Sequence, residues 1–244
     1  MIRFLATALL GTATFAATSA HAAVTIGTQI VDTRLTGTIN DSPAASEGSD
    51  AGSRAGTITA AAQVVTGVGS GTAVRGSSSV IATLTSPERG RVTFRRTLAP
   101  GTVGDGAAIL SSSAGYRYFF TADAPTAFDV NWGVAAYGIT SSGGAPSQGL
   151  SLGLRGAFDT LLRFDDLGDG ASGSAQLLLD PGSYELRIDD TFAPVAPAGV
   201  RSGLSSQYSF ALRTVPEPAT WMLLLLGFGV VGVSQRRRRA ALAN

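Results

Sequence analysis

The chain has 244 residues, 44% of them hydrophobic, enough to bury a sizeable core as one body. Only 14% are charged, below the roughly 25% usual for soluble domains, and 31 glycines suit many short strands joined by tight turns. With no Cys, no Lys and a single His, the chain has no disulfides or thiolate metal ligands, no Cys-His pair, no Ser-Lys dyad and no P-loop lysine.

In chain order, Met1–Ala22 has the form of a secretory signal peptide. Arg3 precedes an apolar stretch from Phe4 to Ala17, and Ala20 and Ala22 put small residues at both recognition positions of a cleavage site. The competing reading is an N-terminal helix of the body, and the immediate switch to alternation at Val24 argues against it. Cleavage after Ala22 removes His21, so the mature body cannot build a Ser-His-Asp triad. Between leader and tail lie 13 Arg and 16 acidic residues, a balance that does not make a nucleic-acid surface.

Residues 23–214 show period two with breaks, the strand signature. Early strands are expected at Val24–Leu35, Thr57–Val65, Val80–Thr85 and Arg91–Thr97, with 40–56, rich in Ser, Ala, Gly and Asp, a mobile loop. Arg89, Arg91, Arg95 and Arg96 read as a solvated edge whose charges oppose edge-to-edge pairing. Later runs place Tyr116, Tyr118 and Phe120 on one face, as they do Phe128, Val130, Trp132 and Val134. Tyr184, Leu186 and Ile188 alternate with Glu185, Arg187 and Asp189, and Tyr208, Phe210 and Leu212 with Ser209, Ala211 and Arg213. Asp180-Pro181-Gly182-Ser183 suits a type II turn and predicts a hairpin between Leu177–Leu179 and Tyr184–Ile188. The expected fold is all-β, a β-sandwich of jelly-roll type, with a helical leader and a C-terminal helix.

Three patterns bear on chemistry. Asp165, Asp166 and Asp169 put carboxylates on a tight turn, ligand-like for calcium, although the spacing is not that of an EF-hand and Asp-Gly turns are common without metal. Glu185, Asp189 and Asp190 are the carboxylates a glycosidase would need, but nothing in the sequence brings two of them into a cleft, and simple solvation is favoured. Trp132 or Tyr137 can stack on sugars from a sandwich face, yet Trp132 shares its face with Phe128 and Val130, which favours core packing.

The end of the chain, 215–244, has three elements in order: Pro216, Glu217 and Pro218, then an almost unbroken apolar run opened by Trp221, then Arg236, Arg237, Arg238 and Arg239. The prolines keep the backbone extended, as a protease requires. Residues 219–234 are expected to form a short transmembrane helix, stopped by the arginines, which the positive-inside tendency keeps cytoplasmic. This tail resembles the PEP-CTERM sorting signal, in the variant with Trp three residues beyond the second Pro. Met222 departs from the Ala common there. The resemblance implies export through the Sec machinery and a precursor held at the inner membrane facing the periplasm. An exosortase then cuts near Pro216–Pro218, delivering the body to the cell surface or an exopolysaccharide matrix. Without His, Cys or Lys, the mature body is expected to be non-catalytic and without a cofactor. The rivals are a carbohydrate- or calcium-binding module and a carboxylate-dependent glycosidase.

Overall fold

The computed structural model describes residues 24–39, 42–66, 74–99, 109–137, 147–154, 160–164, 170–192 and 202–215, with 222, 224–232 and 235 of the tail. The body is nearly all strand: β1 (Val24–Ile39), β2 (Ser42–Gly52), β3 (Gly56–Thr66), β4 (Val74–Ser86), β5 (Arg89–Ala99), β6 (Ile109–Ala122), β7 (Thr126–Tyr137), β8 (Ser147–Leu154), β9 (Thr160–Phe164), β10 (Ser172–Leu179), β11 (Gly182–Phe192) and β12 (Ser202–Thr214). They form two antiparallel six-stranded sheets, ordered β2-β1-β6-β11-β8-β9 in the first and β10-β7-β12-β5-β4-β3 in the second.

The pairs β5·β12, β6·β11, β7·β10 and β8·β9 are nested, so the chain from β5 onward is a long antiparallel ribbon rolled across two sheets, the winding of a jelly roll. The hairpin β1–β2 extends the first sheet beside β6, and β3–β4 extends the second beside β5. One core lies between the sheets, where the inward positions of each strand recur every second residue: Val80, Ala82 and Leu84 on β4, Val92 and Phe94 on β5, Tyr116, Tyr118 and Phe120 on β6. Rings stack across it, Tyr184 on Phe120 at 5.5 Å, Phe120 on Tyr118 at 5.3 Å, and Tyr118 on Phe210 of the opposite sheet at 5.4 Å.

Three expectations are corrected. The 40–56 segment contains strand β2, paired with β1 from Ile39↔Ser42 to Gln29↔Gly52. Its small polar residues fit a seam that a bulkier strand would force open: a Cβ on Gly48 would fall 2.2 Å from the Ala61 carbonyl oxygen on β3. Ser46 Oγ accepts the Gln63 N–H at 3.3 Å and Asp50 Oδ2 accepts the Thr59 N–H at 3.1 Å, covering the open edge of β3.

The turn at Asp180–Ser183 joins strands of different sheets, because β10 pairs with β7 while β11 pairs with β6 and β8. It is a crossover, and the Tyr184 hydroxyl donates to the Asp180 carbonyl at 2.5 Å to hold it.

The arginine-rich run is no edge, since β5 lies between β4 and β12, and one of its four arginines is buried. In the tail, among the described residues, no helix is long and apolar enough to cross a membrane. The helical run 224–232 rises about 14 Å against a hydrocarbon core of about 30 Å. The rest of 219–234 is outside the described residues, apart from 222, and so is the whole leader.

Candidate functional site

Among the described residues two places concentrate chemistry, one buried and one open. The buried one begins with parity. Arg96 falls on the same face of β5 as Val92 and Phe94, and Asp190 continues the Tyr184, Leu186, Ile188 face of β11, so both point between the sheets. Their side chains are fully buried, with Arg96 Nη1 donating to Asp190 Oδ1 at 2.5 Å and Nη2 to the Asp190 carbonyl at 3.0 Å. Ser206 of β12 donates to Asp190 Oδ2 at 2.6 Å. Burial pushes the Asp190 carboxyl up from its ordinary value, against the opposing pull of Arg96 and the Ser206 hydroxyl.

A hydroxyl cluster continues it, for Ser78 of β4 is the register partner of Arg96. The Ser78 hydroxyl lies 2.5 Å from that of Thr33 on β1, and Ser112 of β6 donates to it at 3.0 Å. These contacts tie the first sheet to the second. A charge pair sealed from solvent holds a register and offers nothing to a substrate.

The open place is the outer face of the second sheet. Outward positions there form rungs set by register: Arg91, Ser209, Asn131 and Ser174 in one, and Arg89, Ala211, Asp129 and Gln176 in the next. The face dips into two adjoining depressions of ≈540 Å³ each, which share Asn131 in their lining. The floor is small, and a Cβ on Gly133 would meet nothing within 4 Å. Arg213 closes one end by pairing with Asp129, its Nε donating at 3.0 Å, while Gln176 Nε2 donates to the same carboxylate at 2.8 Å.

The expected site residues divide among these places. Trp132 is half-buried, with its ring 4.6 Å from Phe164 and lying over Gly173, so it packs in the core margin as its parity indicated. Of the glycosidase carboxylates, Asp189 takes Arg187 Nε at 2.5 Å on the outside of β11, and Asp190 is corrected from a solvated position to a fully buried one. The three carboxylates share no cleft. Asp165, Asp166 and Asp169 lie outside the described residues, as do the Tyr137 side chain, Ala20, Ala22, Pro216–Pro218, Trp221 and Arg236–Arg239. Among the described residues no group of three or more His, Cys, Asp or Glu is placed to hold a metal.

The tail's attachment is well defined. β12 is an interior strand held by β5 and β7 along its length, and Val215 N–H donates to the Pro125 carbonyl at 2.8 Å. The packed body therefore runs up to the residue before Pro216.

The sequence from 214 to 239 matches the model of the PEP-CTERM protein-sorting motif. The chain thus carries the signal of an exported protein targeted to an exosortase. No curated protein matches the chain. Among solved structures, the enzymatically active domain of bacteriophage CBA120 tailspike protein 4 is 10% identical over 63% of this chain and 19% of that one, with a TM-score of 0.26. A GH31 alpha-xylosidase from Xanthomonas citri is 9% identical over 73% of this chain and 38% of that one, with a TM-score of 0.12. This chain therefore spans less than two fifths of either structure, and overlaps this low carry no argument about fold or activity.

Proposed function

We propose that the chain is an exported bacterial surface protein with a non-catalytic β-body, released at Pro216–Pro218 by an exosortase and retained at the cell surface or in an exopolysaccharide matrix. The observation that carries this is the junction: the sorting motif begins where the tightly held strand β12 ends. Pro216 and Pro218 disfavour helix, so a protease acting there is offered its motif just beyond the last residue of the packed strand. On this reading Met1–Ala22 directs Sec export and is removed after Ala22. The apolar run and Arg236–Arg239 then hold the precursor at the inner membrane with the body facing the periplasm. Both ends of the body support that geometry, since Val24 is the partner of Ala122 and Thr214 of Thr126, on either side of one tight connection. The non-catalytic reading is supported by the sealing of Arg96–Asp190 and the absence of His, Cys and Lys from the body.

Mass spectrometry of the extracellular protein tests the proposal. The expected C-terminus lies within or beside Pro216–Pro218. An extracellular form that retains Arg236–Arg239 overturns it. Replacing the four arginines by Ser is expected to leave uncut precursor lost from the membrane fraction, and unchanged processing would remove the charges from the signal.

A further inference from the structure

The two sheets present outer faces of different electrostatic character, one balanced and one basic. On the first, outward charges are mixed and matched: Arg34 pairs with Glu47 at 3.1 Å, Arg187 with Asp189 at 2.5 Å, and Asp32 and Glu185 stand among them. On the second, Arg89, Arg91 and Arg95 follow one another outward along β5, and among the described residues none has an ion-pair partner. Asp129, the carboxylate on the same rung as Arg89, is already taken by Arg213. Arg91 thus borders the depression lined by Ser205, Gln207, Ser209 and Asn131, Arg89 borders the adjoining one, and Arg95 stands beside Ser205 as its register partner.

We infer that this face is a binding groove for an acidic polysaccharide. The rung Arg91–Ser209–Asn131–Ser174 crosses four strands, about 14 Å at ~4.8 Å per strand, and Arg89 and Arg91 stand about 7 Å apart along β5. That is room for an extended chain of several sugars lying in the trough. Guanidiniums fit carboxylates in a bidentate fork, and the amides and hydroxyls beside them match the hydroxyls of a sugar ring. The floor side chains are mostly polar, and Trp132, which also lines the depression, packs its ring against Phe164 at 4.6 Å, so recognition is by hydrogen bonds and charge more than by stacking. This separates the groove from a single-strand nucleic-acid site, which combines a basic track with aromatic stacking. The export proposed above makes an extracellular polyanion the relevant one; the binding itself does not depend on tail cleavage.

The test uses the full chain in detergent micelles with alginate as the polyuronate probe, dextran as the uncharged polymer and a single-stranded oligonucleotide as a second polyanion. Affinity electrophoresis is expected to show retardation by alginate and none by dextran. The triple variant R89S/R91S/R95S is expected to weaken alginate binding about tenfold or more. A matched triple on the other sheet, R34S/R117S/R187S, removes the same charge and is expected to leave it nearly unchanged. N131A/Q207A, which keeps every charge, is expected to weaken it as well. Melting curves identify any variant that has lost its fold, and N131A/Q207A then decides the question alone. Absence of alginate binding by the parent chain, equal loss in both arginine triples, or tighter binding of the oligonucleotide than of alginate each overturns the assignment.

Discussion

The two ends of the one core are built from different chemistry. At the end where the tail leaves, Tyr184, Phe120, Tyr118 and Phe210 stack ring on ring and fill the space between the sheets. At the other, Arg96, Asp190, Ser206, Ser78, Thr33 and Ser112 bridge the sheets by hydrogen bonds. Ring packing depends on volume and tolerates small displacements, each buried ring contributing roughly 1.5–3 kcal/mol. A buried ion pair is directional and unforgiving, for it must be complete or absent. The difference suggests that the aromatic end supplies most of the stability, while the polar end fixes how the two sheets are aligned.

The sharpest way to break this contrast is to remove half of the ion pair. Arg96→Ala leaves Asp190 buried without its partner and is expected to cost about 3–5 kcal/mol by chemical denaturation. R96M/D190L removes both charges at similar volume and is expected to recover most of that loss, because a well-packed apolar pair costs no desolvation. Recovery with a unique fold would mean the pair adds little net stability. A double variant as unstable as Arg96→Ala would show that the network, not the orphaned charge, carries the energy.

High pH probes the rings. Burial raises the phenols of Tyr116, Tyr118 and Tyr208 above their ordinary 10.0. The unfolded chain loses those protons first, so above pH 10 the native state holds more protons than the unfolded one. Their contribution is fully present below that value and is lost as pH rises beyond it, by about 1.4 kcal/mol per pH unit for each phenol still protonated. Denaturation midpoints measured on both sides of about pH 10 should fall on the alkaline side, and Tyr118→Phe should flatten the fall. A midpoint independent of pH would mean these hydroxyls are not sealed.

What the sequence revealed of this arrangement depended on whether each feature is local. Strand parity identified Tyr116, Phe120, Phe128 and Tyr208 as inward, and the sorting tail is a linear motif that needs no fold to be read. The same parity assigns Arg96 with Val92 and Phe94, and Asp190 with Leu186 and Ile188, yet charge argued for solvent at both positions. Only the pairing of β5 with one sheet and β11 with the other brings the two together. β2 was hidden because its composition answers to the close approach of Gly48 and Ala61, a contact between separate sheets. The Pro181-Gly182 turn was recognisable as a turn, but whether it stays within a sheet is decided by β7, far upstream. The rungs of the outer groove likewise exist only once β5, β12, β7 and β10 are in register.

The smallest expected effect is also the one of opposite sign. Tyr116 sits at 0% exposure between the two ends, and its hydroxyl has no hydrogen-bond partner among the described residues. A buried polar atom without a partner costs its desolvation, about 1–3 kcal/mol, whereas the ring alone contributes packing against Phe210. Tyr116→Phe is therefore expected to stabilise the protein by up to about 1 kcal/mol, since relaxation recovers part of that cost in the parent chain. Tyr118→Phe serves as the contrast, because the Tyr118 hydroxyl donates to the Pro87 carbonyl at 2.8 Å and its removal should destabilise by about 1 kcal/mol. Opposite signs for two adjacent inward tyrosines would locate the boundary between the ends at Tyr116, where ring packing is satisfied and hydrogen bonding is not. A loss of stability in Tyr116→Phe would mean its hydroxyl belongs to the polar network, extending that network one residue pair deeper into the core.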